Sequence, residues 1–228
     1  MMPPLTRFGS QMVNLLIDAY QYFLANQSRF WAATTQHLWI SAAALSISIA
    51  AGLPTGIWTA HQTRIGQWTI NLFGALRLVP SLAVLFLVQP YLGIGMLPAL
   101  VALTLLAVPP ILIATYAGIR SVDPGVREAA RGMGMTAGQV LWRVELPLAL
   151  PSIVGGVRTA AVEVIASATL AAFIGGGGLG IFITRGYALF DTRIMLVGAI
   201  PVAFLALTTE LLLGWVQRRL ASSVGATT

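Results

Sequence analysis

Residues 38–60 contain no charged side chain, and four more apolar stretches of similar length follow at 68–92, 96–119, 148–174 and 194–216. A helix rises 1.5 Å per residue, so each stretch, as a helix, would reach about 35 Å and cross a hydrocarbon core of ~30 Å with modest tilt. Lipid offers no water to unpaired backbone groups, which excludes open strands. None of the five stretches alternates as a barrel strand would. Each is therefore read as a helix. The composition agrees, with 57% hydrophobic and 9% charged residues, against about 25% charged in an ordinary soluble domain. The expected fold is an all-α membrane protein, a polytopic bundle of five transmembrane helices, or six if the amino-terminal segment also crosses.

That segment, residues 1–36, differs from the rest. Val13, Leu16, Ile17, Tyr20 and Leu24 recur at helical spacing, opposite Asn14, Asp18 and Gln21. Such a helix suits the membrane interface better than its interior. No long apolar core follows a basic start, so a cleavable signal peptide is not expected.

All 13 basic residues are arginine, against 7 acidic ones. In a soluble chain this excess would suggest nucleic acid. Here the arginines fall mostly between the apolar stretches and read as topology signals, with no nucleic-acid partner. With five spans, Arg64, Arg120, Arg127, Arg131, Arg143, Arg218 and Arg219 share one side, and Arg7, Arg29, Arg185 and Arg193 share the other. The richer side is the cytoplasm, which places the 120–147 loop and the carboxyl terminus inside. There is no cysteine, so thiolate metal sites and a cysteine nucleophile are excluded. The two histidines, His37 and His61, lie at opposite ends of the first apolar stretch and do not suggest a metal cluster.

The 120–147 loop is the one substantial hydrophilic connection. Asp123 followed by Pro124 is a helix start, a side-chain cap and then a proline at the first helical position. Val126, Ala129, Ala130 and Met133 line one face of that helix, and Gly132 and Gly134 interrupt it. Thr136 and Gln139 have capping-box spacing, and Val140, Leu141 and Val144 continue as a second apolar stripe. Two short helices joined by a glycine turn are expected, with an apolar face large enough to need a docking partner.

Glu128-Ala129-Ala130, Gly134 six positions after the glutamate, and Leu146-Pro147 resemble the EAA loop of ATP-binding-cassette importer permeases. Val144 stands where that family usually has isoleucine. The resemblance covers roughly residues 38–219, leaving 1–36 as an amino-terminal segment, 37–219 as the permease domain and 220–228 as a cytoplasmic tail. It implies that the first loop helix seats in a cleft of a separate ATPase dimer, with Ala129 and Ala130 allowing close approach, Glu128 meeting the ATPase and Gly134 permitting the turn. ATPase closure would move that helix and switch the spans between outward and inward access. It also implies the inner (plasma) membrane of a prokaryote, a second permease copy or homologue, an extracytoplasmic substrate-binding protein and surrounding lipid. No cofactor is expected on this chain, since ATP and magnesium would sit on the ATPase. Val79-Pro80-Ser81-Leu82-Ala83, Leu146-Pro147-Leu148-Ala149-Leu150-Pro151, Gly156-Val157-Arg158-Thr159-Ala160 and the run from Ala171 to Gly180 are similar to permeases for osmoprotectants such as glycine betaine, choline and carnitine. Amino-acid permeases, methionine's among them, share the loop and form the alternative.

Four charged residues lie within spans: Arg77, Arg158 and Glu163, and Glu210 toward the cytoplasmic end of the last. An ionised side chain at that depth costs about 2.5–3.5 kcal/mol on insertion scales, so each should face the bundle interior or water. Arg158 and Glu163 are five apart, roughly 140° round a helix, and are poor partners. A Glu163–Arg77 pair between helices is expected instead, as a structural ion pair or as lining of the pathway. Glu210 would snorkel or pair with Arg218. Pro80, Pro109, Pro110 and Pro201 invite kinks, and Gly155 and Gly156 allow close helix approach. Gly175–Gly178 with Gly180 lacks the lysine and hydroxyl residue of a phosphate-binding loop and reads as an external turn or part of an outer gate. Trp39, Trp58, Trp68 and Trp215 sit near span ends, as interfacial anchors do. No catalytic constellation is present, so an enzyme is not expected. A secondary transporter would need an internal repeat and intramembrane ion ligands.

Overall fold

The computed structural model describes the backbone of residues 4–225 and the side chains of residues 11–62 and 66–222. Within them the chain is helical throughout: α1 (Pro4–Ala25), α2 (Gln27–Ala60), α3 (Thr63–Leu76), α4 (Ser81–Leu92), α5 (Met96–Arg120), α6 (Pro124–Gly132), α7 (Ala137–Val140), α8 (Leu146–Ser167), α9 (Gly180–Ala188) and α10 (Thr192–Gly225). A π-helical turn, Leu141–Glu145, joins α7 to α8, and a 3₁₀ turn, Leu170–Ile174, follows α8. No strand occurs among the described residues.

Among the described residues four helices are long and apolar enough to cross a membrane, and a bent pair counted as one span brings the total to five. Their limits differ from the sequence reading in physically interpretable ways. The first span begins at Gln27, so residues 27–36 extend it rather than lying apart from it. The fourth runs as one helix from Ala137 to Ser167, its first turns arising inside the hydrophilic loop. The second is two helices, α3 and α4, with a break at residues 77–80. Pro80 precedes Ser81, the first residue of α4. A proline disfavours helical geometry in the residue before it and supplies no amide hydrogen. By contrast Pro109, Pro110 and Pro201 remain inside continuous helices.

The chain divides into two compact units. One comprises Met1–Ala43, Ser81–Leu103 and Ile165–Ala206. Its core gathers Ala19, Phe30, Ala33, Ile165, Leu179, Phe182, Ile194, Val197 and Val202. Phe23 and Phe30 meet edge to face at 4.8 Å between ring centroids, a favourable quadrupole arrangement. Helix α1 packs here through Ala19, Tyr22 and Phe23. Its Val13, Leu16, Ile17, Tyr20 and Leu24 stay exposed, as an interfacial helix requires.

The other unit comprises Ala44–Pro80, Thr104–Val164 and Leu207–Thr228. Ala60, Ile119, Ala149 and Ile153 form its core, with Leu53, Ile57, Tyr116, Leu141 and Leu146 packed against them. Gly156 permits the α5–α8 contact, since a Cβ there would collide with Ala114. Trp58, Trp68 and Trp215 are exposed in this unit, and Trp39 in the first.

Candidate functional site

Helix α6 starts as its sequence requires. Gly125 donates its amide to Asp123 Oδ1 at 2.6 Å, and Pro124 occupies the first turn. The helix has a covered face and an open one. Ala130 is buried and Arg127 is 80% covered, with 20% of its side chain exposed. Val126, Glu128, Ala129 and Met133 are exposed. The expected apolar stripe is therefore split: Ala130 seats the helix on its own protein, while Ala129 and Glu128 of the same motif point away. Glu128 makes no ion pair among the described residues.

Gly134 closes the helix with φ +82°. The amide of Met135 donates back to Ala130 O at 3.2 Å, a carboxyl-terminal cap that favours glycine. The second start is a complete capping box. Thr136 N donates to Gln139 Oε1 at 2.8 Å, and Gln139 N donates to Thr136 Oγ1 at 3.4 Å. Trp142, 72% exposed, follows in the π turn.

Leu146 and Pro147 open α8 just after that turn. Proline cannot donate to the carbonyl of Arg143 and crowds it, and a widened turn relieves both conflicts. Within that turn, Glu145 has only 4% of its side chain exposed. One carboxylate oxygen lies 2.9 Å from Arg127 Nε of α6. The other lies 2.9 Å from His61 Nε2, at the end of α2. His61 Nδ1 lies 2.8 Å from Ile57 O, so each ring nitrogen faces an oxygen. Arg127 Nη2 donates to Ile119 O near the end of α5. Arg127 Nε is too poorly aligned for a hydrogen bond to Glu145, so that contact is ionic rather than directional. One buried carboxylate thus joins α6 to the ends of α2 and α5 and to the start of α8. Sequence reasoning missed it, since Glu145 occupies a free position between Val144 and Leu146 of the motif.

The charges within spans are arranged differently from expectation. Arg77 lies in the break between α3 and α4 and is exposed. It forms no ion pair with Glu163 among the described residues. The direct Glu163–Arg77 contact is corrected. Arg77 caps α3 where the helix ends at the break, and its side chain stays exposed instead of meeting a carboxylate. Glu210 pairs with Arg158, Oε2 to Nε at 3.4 Å, and not with Arg218.

The glycine run forms a clasped turn. Gly175, Gly177 and Gly178 have φ of +77°, +76° and +74°, conformations that side chains rarely adopt. Gln36 Nε2 donates to Gly176 O at 3.2 Å, and Gly178 N donates to Gln36 Oε1 at 3.2 Å. The fully buried His37 donates from Nε2 to Ile165 O at 3.1 Å. The amide of Gly95 donates to Ile174 O at 2.8 Å.

The helical spans and the capped loop between the third and fourth of them match the profile of the binding-protein-dependent transport system inner membrane component family over residues 52–222. The chain belongs to this family. It is a transport subunit of the inner membrane, acting in systems that depend on a binding protein. It is 44% identical over 199 residues to the carnitine transport permease protein OpuCB of Listeria monocytogenes, covering 87% of this chain and 91% of the relative. It is 38% identical to the choline transport system permease protein OpuBB of Bacillus subtilis, over 88% of this chain and 92% of that one. In fold it resembles an inward-facing structure of the MetNI methionine ABC transporter, with a TM-score of 0.77 and 21% identity over 85% of this chain and 97% of that chain.

Proposed function

We propose that this chain is the membrane-spanning subunit of an ATP-driven importer of quaternary-amine osmoprotectants such as glycine betaine, carnitine and choline. One observation carries the substrate class: relatives at 38–44% identity and near full length are named for carnitine and choline. The methionine transporter shares the fold at 21% identity, too distant to carry a substrate. The chain works beside a second copy or a homologous permease, an ATPase dimer that holds ATP and magnesium, and an extracytoplasmic binding protein.

The 120–147 loop and the carboxyl terminus face the cytoplasm, as the distribution of arginines favours, and the glycine run lies outside. Glu128, Ala129, Val126 and Met133 offer the exposed face of α6 to the ATPase, with Ala130 and Arg127 on the opposite face. Gly134 ends α6, and Leu146-Pro147 opens the next span. Motion of the ATPase reaches the spans through α6 as a rigid body, since its inner face is held by Arg127 and Glu145. The test is uptake of labelled glycine betaine at high osmolarity by cells deleted for the chain and by the same cells after its restoration. Choline, carnitine and methionine serve as competitors. Restored uptake blocked by the quaternary amines is the expected result. Restored uptake blocked by methionine alone would reassign the substrate.

A further inference from the structure

Arg158 and Glu210 sit well inside membrane-spanning helices α8 and α10, yet 31% and 43% of their side chains are uncovered. An ionised group facing hydrocarbon is strongly disfavoured, so this face meets water or protein. Helix α10 is the least covered of the four unbroken spans, with 17% of its apolar window buried against 56% for α5. The pair is also loose. Its closest approach is 3.4 Å, and Arg158 Nε has no aligned acceptor. Gly214 leaves room beside it: a Cβ at that position would stand 3.2 Å from Arg158 Nη1 and 3.7 Å from Arg218 Nη1. Two guanidinium groups therefore lie against Gly214, one helical turn from Glu210, and Arg158 Nε has hydrogen-bonding capacity to spare.

We propose that Arg158 and Glu210 form a transient site for a zwitterion, with Arg158 meeting its carboxylate and Glu210 facing its quaternary ammonium. The chemistry assigns the ends. A guanidinium offers a carboxylate two parallel donors, whereas a quaternary nitrogen carries no hydrogen and takes only Coulombic attraction. Arg158 and Glu210 separate by exchanging each other for the two ends of the ligand, so no charge is left unpaired. Binding stays weak enough for release, because the resting pair competes for the same groups. The proposal rests on the reading of the chain as a quaternary-amine permease, and adds the residue that tells a zwitterion from a simple cation.

The test uses the complete transporter in ATP-loaded proteoliposomes, with glycine betaine and choline as probes. Choline has the quaternary ammonium and lacks the carboxylate. Arg158→Gln is expected to lower the betaine-to-choline uptake ratio by about tenfold or more, the effect of losing a charge-assisted pair. Glu210→Gln should reduce uptake of both substrates by about tenfold while keeping the ratio within about twofold of wild type. Arg158→Lys keeps the charge and loses the fork, and its ratio should fall between wild type and Arg158→Gln. If Arg158→Gln fails to assemble, the lysine variant decides, and an unchanged ratio there overturns the proposal. Equal loss of both substrates in Arg158→Gln with the permease dimer dissociated on size exclusion also overturns it and makes the pair a subunit contact. Wild-type transporter that moves neither probe rejects the substrate reading as well. Wild type that moves both, with the ratio unaffected by Arg158→Gln, rejects this site alone.

Discussion

Two ion pairs within one unit of the molecule show opposite designs. Glu145 is 4% exposed in its side chain and touches His61 and Arg127 at 2.9 Å each. Glu210 is 43% exposed and reaches Arg158 at 3.4 Å. A buried carboxylate held between a guanidinium and an imidazole has no other partner to take, and removing it leaves the covered guanidinium uncompensated. An open pair can trade partners with water, a ligand or a neighbouring chain. The first arrangement suits a joint that passes motion without deforming, and the second suits a contact remade during transport.

The largest expected effect tests the joint. Glu145→Ala strands the largely covered Arg127 without its carboxylate, at a cost of about 3–5 kcal/mol for breaking a buried pair. Thermal unfolding of the purified transporter should show a clear drop in midpoint, with uptake lost. Glu210→Gln, at a half-exposed pair, should shift the same midpoint by no more than about 1 kcal/mol equivalent. Equal shifts in the two variants would erase the distinction.

The contrast also separates what the sequence discloses from what it conceals. Local chemistry was legible: the Asp123 cap, the Thr136–Gln139 capping box and the turn at Gly134 all depend on residues two to six positions apart. So were the spans, since length and apolarity suffice. The partners of Glu145 were not legible, because His61 lies 84 positions away. Which of α2's turns meets the π turn depends on how the helices pack. Arg158–Glu210 escaped for the same reason. The Arg77 error was of another kind. Proline in an apolar stretch predicts a kink within one span, while the chain ends one helix at Leu76 and starts another at Ser81, leaving Arg77 exposed at the break.

A middle-sized effect sharpens the account of α6. Gly134 has φ +82° and no neighbouring atom within 4 Å of where a Cβ would stand. Gly134→Leu therefore meets no clash within this chain, and its cost is backbone strain, about 1–2 kcal/mol for a residue held left-handed. The spans should insert and fold as before, while the angle at which α6 is presented changes. ATP hydrolysis that continues without uptake is the expected outcome in reconstituted transporter. Uptake at the wild-type ratio to hydrolysis would show that the turn does not set coupling.

The smallest effect concerns a third pair, on the surface at the start of α10. Asp191 Oδ1 accepts from the Arg193 amide and from Nε at 3.0 Å each, and Oδ2 accepts from Nη2 at 2.7 Å. These guanidinium hydrogen bonds hold the Asp191 carboxyl below its ordinary value, with burial opposing them. A depressed carboxylate contributes stability that is present above its unfolded value, about 3.9, and is lost as pH falls through the lower folded value. Between pH 7 and pH 5 the contribution should therefore be constant, and it should fade only below about pH 4. Asp191→Asn keeps an oxygen to cap the helix and loses the charge, which is worth no more than about 1 kcal/mol at an exposed site. Asp191→Ala also loses the cap, a further ~1 kcal/mol. Unfolding midpoints should thus fall in the order wild type, Asn, Ala at pH 7. Below about pH 4 the wild type and the Asn variant should converge, while Ala stays lower. Equal losses for Asn and Ala at pH 7 would mean that the charge, and not the cap, starts this helix.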